Sequence, residues 1–284
     1  MSRLLFIFLA GMWFLHPALG QPDSSWQTDA TGKLSFTQAG FYRWYDGGVS
    51  SLALSAGLTA EFSRHGPNWE QSHAIRLAYG VVKQNALSLR KAEDLIHARS
   101  TFTLLSGPVT GRVQPAVSVD FRSQFANGFT YGSGQRDDMP APRISAFLSP
   151  AILTQSVGLS FQAAHWAQLR FGLATKETLV TERSLRARYK VNPDKSTRWE
   201  AGLSGLILLD GVMFTNVHMH HSLQVFASFN QAGTPDMLSE TLITMKVNRW
   251  LQVNVEYTAQ LDRDVSRSIQ MKELISLGFT VSLL

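Results

Sequence analysis

A chain of 284 residues, 44% hydrophobic and 17% charged, holds enough apolar material for one domain of ordinary size. Its mean hydropathy is near zero, and no stretch beyond Gly20 approaches eighteen apolar residues, which excludes a membrane-spanning helix there. With no cysteine, the chain cannot rely on disulfides, and much of the basic excess behind the formal charge of +5 lies in one stretch.

The N-terminus reads as an export signal. Arg3 supplies a positive start, Leu4–Leu15 is an apolar run too short to cross a bilayer, and Ala18-Leu19-Gly20 places small residues at a cleavage site. Residues 1–20 are therefore expected to be a signal peptide, 21–32 a short periplasmic segment, and 33–284 the folded domain. Nucleic acid is not an expected partner for an exported chain.

From residue 33 onward the period is two. Strands are predicted at 33–44, 49–63, 70–84, 93–106, 111–125, 150–163, 166–178, 198–210, 213–229, 238–249, 251–262 and 270–283. The clearest is Leu251–Asp262, where Leu251, Val253, Val255, Tyr257, Ala259 and Leu261 alternate with Gln252, Asn254, Glu256, Thr258, Gln260 and Asp262. Ser51–Phe62 repeats the pattern. The segments exceed the roughly 5–6 residues of a soluble strand and match the roughly 9–11 that a tilted strand needs to cross a bilayer. Ile144–Leu148 either extends the sixth strand or forms loop structure.

An even count suggests a closed antiparallel barrel of about twelve strands in the bacterial outer membrane. Tight turns at Gly107–Thr110, Ala164-His165, Gly211-Val212 and Trp250, with Arg64–Trp69 also modest, alternate with longer connections at 85–92, 126–149, 179–197, 230–237 and 263–269. Tyr45–Gly48 is the exception. Trp44, Trp69, Trp166, Trp199 and Trp250 fall at strand ends on both rims, where amphipathic indoles suit a lipid headgroup belt. The apolar face would meet lipid, and the polar face would line the lumen with Glu61, Arg76, Arg99, Asp120, Arg122, Arg170, Lys246, Glu256 and Asp262. Both signs of charge are present, so ion pairs across a narrow, partly occluded lumen are expected rather than a one-signed selective ring.

Motifs for chemistry are weak. His218 and His220 share a face, but spacing fixes no third ligand, so no metal is assigned. Ser222 lies near His220, yet no Gly-x-Ser-x-Gly element occurs, and no catalytic residue or cofactor is assigned. Gly128, Phe129, Tyr131, Gly132 and Gly134 read as a flexible loop, and Asp137-Asp138 alone do not specify calcium. Arg183, Arg186, Arg188, Lys190, Lys195 and Arg198 form a basic segment outside the cell. It is either solvated or in contact with lipopolysaccharide phosphates.

Several short elements resemble one family. Leu34-Ser35-Phe36-Thr37-Gln38 is followed by Trp44-Tyr45-Asp46-Gly47-Gly48-Val49-Ser50-Ser51-Leu52, then by Lys91-Ala92-Glu93-Asp94, Ser149-Pro150-Ala151 with Gly158-Leu159, and Gln270-Met271-Lys272-Glu273 with Leu277-Gly278-Phe279. This pattern resembles the outer-membrane barrels of Bacteroidetes-type bacteria catalogued as domain of unknown function 3078. The resemblance implies an outer-membrane location and brings no reaction or ligand. One departure is the end, Ser282-Leu283-Leu284, where barrels recognised by the assembly machinery usually carry an aromatic residue. The expectation is a structural, porin-like or small-solute transport barrel, not an enzyme, whose partners are outer-membrane lipids, lipopolysaccharide, the barrel-assembly machinery and an unidentified small solute. The alternatives are a soluble periplasmic β-barrel that binds a small apolar ligand and an outer-membrane lipid hydrolase.

Overall fold

A computed structural model describes residues 25–39, 50–84, 87–105, 112–131, 141–230, 235–262 and 268–283. The expected signal peptide (residues 1–20), Trp44, Gly107–Thr110, Gly132, Gly134 and Asp137-Asp138 lie outside them. The alternating segments become β1 (Gln27–Ala39), β2 (Ser51–His65), β3 (Trp69–Gln84), β4 (Arg90–Leu104), β5 (Val113–Ser123), the short β6 (Gly128–Phe129) and β7 (Arg143–Ser145), then β8 (Ala151–Ala164), β9 (Ala167–Leu179), β10 (Thr197–Phe214), β11 (Val217–Ser228), β12 (Asp236–Lys246), β13 (Leu251–Leu261) and β14 (Gln270–Ser282). All except β6 and β7, which pair with each other, join one closed antiparallel barrel of twelve strands in sequence order. Closure runs from Thr31 opposite Ser282 to Phe36 opposite Leu277, and it leaves no sheet edge exposed.

The register identifies the two faces. Arg122 on β5 reaches Glu240 on β12 at 3.0 Å, although these strands are not neighbours in the sheet, so both side chains must point inward. Following the pairings round the ladder from that anchor puts every second residue inside and gives a consistent answer at closure. The outer face is the apolar one. Phe36, Leu54, Val157, Phe171, Leu173 and Ile275 are between 42% and 58% exposed. A soluble monomer rarely presents a continuous apolar exterior of this extent.

Several boundaries differ from the sequence expectation. The first strand starts at Gln27, not 33, because Thr28, Ala30 and Gly32 continue its outer face opposite Phe62, Ala60 and Leu58. Residues 27–32 are thus barrel wall and not a preceding segment. The described part of that strand reaches Ala39, and residues 40–49, with the expected strand end and the Tyr45–Gly48 connection, lie outside the described residues. The turn expected at Gly211-Val212 lies instead at Thr215-Asn216. Gly211 stays in the ladder opposite Met219, and Asn216, at φ 65°, takes the left-handed conformation that a two-residue hairpin requires. Ile144 lies in β7, in the long β5–β8 connection, and Gly128-Phe129 pairs with it as a small sheet.

Connections at one barrel end are 66–68, 105–112, 165–166, 215–216 and 247–250; at the other they are 40–50, 85–89, 124–150, 180–196, 229–235 and 262–269. The longer set builds the one compact hydrophobic cluster among the described residues. Val180, Leu185 and Val191, from a segment of two 3₁₀ turns (Arg183–Leu185 and Ala187–Tyr189), pack with Ala146 and Tyr189. The Tyr189 hydroxyl donates to the Ile144 carbonyl at 2.6 Å, tying the two longest connections into a cap.

Candidate functional site in the barrel interior

Ion pairs divide the interior. Asp120 accepts from Arg99 at 2.8 Å and contacts His97 at 2.9 Å on neighbouring β4. Arg122 pairs with Glu240 across the interior. Lys176 on β9 reaches Asp236 on β12 at 2.5 Å and Glu200 on β10 at 3.1 Å, and sits 4.8 Å from the Phe226 ring centroid. Arg198 also pairs with Glu200, and Lys33 on β1 pairs with Glu256 on β13 at 2.6 Å. Charged hydrogen bonds such as these are stronger than neutral ones and hold long side chains across the space they span.

Cavities remain between the pairs. One of about 290 Å³ lies against Arg76, Glu93, His220, Glu240, Glu256 and Lys272. A second of about 150 Å³ is lined by Arg99, Arg170 and Lys176 together with Ile152, Leu206 and Phe226. The third, about 430 Å³, lies under the cap against Arg188, Tyr189, Arg198 and Asp262. Arg122 and Gln260 border all three, which makes the Arg122–Glu240 bridge their common partition.

The residues singled out from sequence fall as follows. Arg76, Arg99, Asp120, Arg122, Arg170 and Glu256 are inward and border cavities. Asp262, just past β13, borders two of them. Glu61 is inward by register, opposite Asp29, and Lys246 is inward at the short-turn end, opposite Gln252. Lys33, His97 and Glu240, which pair with Glu256, Asp120 and Arg122, were missed, as was the cluster of Lys176, Glu200 and Asp236. All six share the inward parity, but β10 and β12 also point Leu206, Leu208, Leu238 and Leu242 inward, and this blurred the alternation there.

His218 and His220 both engage Asp210, at 3.1 Å and 2.7 Å, and among the described residues no group of three such side chains is arranged to hold a metal. No hydrogen bond joins Ser222 to His220 there. The basic segment divides. Arg198 is inside on β10, Arg183 pairs with Asp194, Arg186 donates to the Val180 and Pro193 carbonyls, and Arg188 borders the cavity under the cap. Burial pushes the Tyr189 hydroxyl above the ordinary tyrosine range.

Trp69, Trp166 and Trp250 sit at the short-turn end and Trp199 at the other. Trp26, absent from the sequence selection, joins the short-turn rim. Arg64 lies 6.0 Å from its ring and 5.8 Å from that of Trp69. Trp250 stacks on Phe279 at 5.6 Å with rings 6° apart, so the chain's last aromatic residue is packed on the outer wall.

Residues 36–129 match the family described as Protein of unknown function (DUF3078). The match runs from the second half of β1 to β6; the elements around Ser149–Leu159 and Gln270–Phe279 lie beyond it. No curated protein matches the chain. Among solved structures, the chain is similar to the translocator domain of the autotransporter NalP from Neisseria meningitidis (9% identity, 98% of this chain and 95% of that one, TM-score 0.33). It is also similar to the Pseudomonas putida toluene transporter TodX (10%, 92% and 89%, 0.31) and to Salmonella typhi OmpF in complex with daunomycin (8%, 92% and 98%, 0.33). What this barrel does is decided by its own two faces.

Proposed function

We propose that the protein is an outer-membrane β-barrel that admits or holds small solutes in a narrow, partitioned interior. The observation that carries this reading is the inversion of its faces: large apolar side chains stand exposed all round the outside while paired charges fill the inside. In water that arrangement exposes apolar surface and encloses charge; in lipid it does neither at a cost, because the closed ladder satisfies the backbone and the acyl chains meet the apolar face. The tryptophans at the two rims suit headgroup belts. Lipids and lipopolysaccharide are the proposed surroundings, and the barrel-assembly machinery the proposed route into them. The bridges of Arg122 and Lys176 support solute-scale passage in preference to a wide pore.

The test is membrane fractionation with a cold detergent gel. An outer-membrane band that runs compactly unheated and shifts on boiling is the expected result; recovery of a monodisperse protein from the periplasm without detergent overturns the reading. In planar bilayers the wild type should give small or no conductance steps, and large stable pores would contradict a partitioned interior.

A further inference from the structure

The second cavity has an uneven lining. Four cations border it: Arg99, Arg122, Arg170 and Lys176. Three have carboxylates in direct contact, namely Asp120, Glu240, and the pair Asp236 and Glu200. Arg170 has none. Its guanidinium donates to Thr101 Oγ1 at 3.0 Å and Gln168 Oε1 at 3.3 Å, both neutral, and its buried Nε has no partner. No carboxylate of the described residues lies within ion-pair distance of it. A charge removed from bulk water is costly unless it meets an opposite charge, and guanidinium offers five donors in a fork suited to a carboxylate. Glu70 and Asp120 act on Arg170 only at longer range, and Asp120 is already held by Arg99 and His97.

The wall next to Arg170 is the apolar one. Leu206 is its direct partner across the β9–β10 ladder. Leu206 is in turn opposite Gln224, which is opposite Leu238, and Phe226 and Ile152 complete the lining. Inward leucines have no role in an interior held by ion pairs and water. Next to an unpaired guanidinium they make an amphipathic site.

We propose that this cavity binds a small amphipathic anion, a carboxylic acid with a short apolar body, whose carboxylate pairs with Arg170 and whose body lies on Leu206, Phe226 and Leu238. A space of about 150 Å³ sets the scale at a short-chain or single-ring acid. This rests on the solute-admitting reading above and names the class of solute.

The experiment uses the full barrel in lipid nanodiscs, first checked for heat-modifiability, with hexanoate, hexanol, hexylammonium and acetate titrated calorimetrically at neutral pH and empty nanodiscs subtracted. Hexanoate is expected to bind saturably at one site, at least tenfold tighter than each of the other three. Arg170→Gln should weaken hexanoate at least tenfold, and Leu206→Ser should weaken hexanoate with no effect on acetate. The four-ligand comparison on the wild type requires no variant to fold. Equal binding of hexanol or acetate, no saturable hexanoate binding, or an unchanged affinity in Arg170→Gln overturns the proposal. A barrel that is heat-modifiable in membranes but indifferent to hexanoate would sink this site and leave the membrane reading standing. A chain that never enters membranes sinks the latter.

Discussion

Arg122 and Glu240 offer the sharpest test of the partitioned interior. Their side chains are 27% and 12% exposed and 3.0 Å apart. At that separation the gross attraction is about 1.4 kcal/mol in a water-like medium and about 5.5 kcal/mol at an effective dielectric constant of 20. Cavities on both sides admit solvent, and Arg76 also borders the cavity that Glu240 faces, so the net coupling should be well below the upper figure, about 1–3 kcal/mol. Arg122→Met keeps the length and removes the charge; Glu240→Gln keeps the shape. Urea unfolding of the two single variants and the double variant, followed by loss of the compact gel band, closes a cycle whose coupling should fall in that range. Arg122→Ala additionally removes the partition bordering all three cavities, so bilayer recordings should show conductance steps larger than those of the wild type. A coupling below about 0.3 kcal/mol, or unchanged conductance in Arg122→Ala, would refute the reasoning that this bridge divides the interior.

Three other predictions concern the wall and the cap. Leu173→Arg places a charge on the outer face where Leu173 is 57% exposed; in a membrane it should destabilise the barrel by about 2–4 kcal/mol in lipid-reconstituted unfolding, whereas an unchanged midpoint would favour a soluble barrel. Gly158→Ala should cost about 1–3 kcal/mol, because a Cβ there would run into the Phe171 carbonyl oxygen and lie 2.5 Å from Gly172 Cα, both backbone. Gly205→Ala, with only Val225 Cβ at 3.9 Å, should stay within about 0.5 kcal/mol, and equal effects of the two changes would contradict the close approach of β8 and β9. Tyr189→Phe removes the hydrogen bond to Ile144, worth about 1 kcal/mol, so cleavage in the 183–190 segment should quicken about fivefold. Because the fold raises the Tyr189 pKa, the bond's contribution is full below the ordinary tyrosine value and lost as pH climbs through the raised one. With a protease active in alkali, wild-type protection should therefore fall in that window while Tyr189→Phe shows no such limb.

The chain's alternation, read residue by residue, already contained the barrel. Leu251–Asp262 can satisfy its twelve positions only by facing two environments, and a period of two is local, so it survives without knowledge of neighbours. The strand count, the alternation of short and long connections and the inward parity of Arg122 or Glu256 follow from that periodicity. Where a strand faces similar residues on both sides, the signal fades. Ala30 and Gly32 did not announce β1, and the leucines on both faces of β10 hid the inward position of Glu200 and the true turn at Asn216.

What the sequence could not hold is who meets whom across the interior. Lys176 and Asp236 are sixty positions apart, Arg122 and Glu240 almost twice that, and Arg170 reaches back to Thr101. Parity places each of them inside, but closure, strand tilt and register set their heights, and those depend on every ladder at once. The same holds for the cation of the second cavity that has no acid in contact. Arg170 is indistinguishable in sequence from Arg99 or Arg122, and only the closed structure shows that no carboxylate of the described residues comes within ion-pair distance of it, because an ion pair is a property of two positions in space and not of either residue alone.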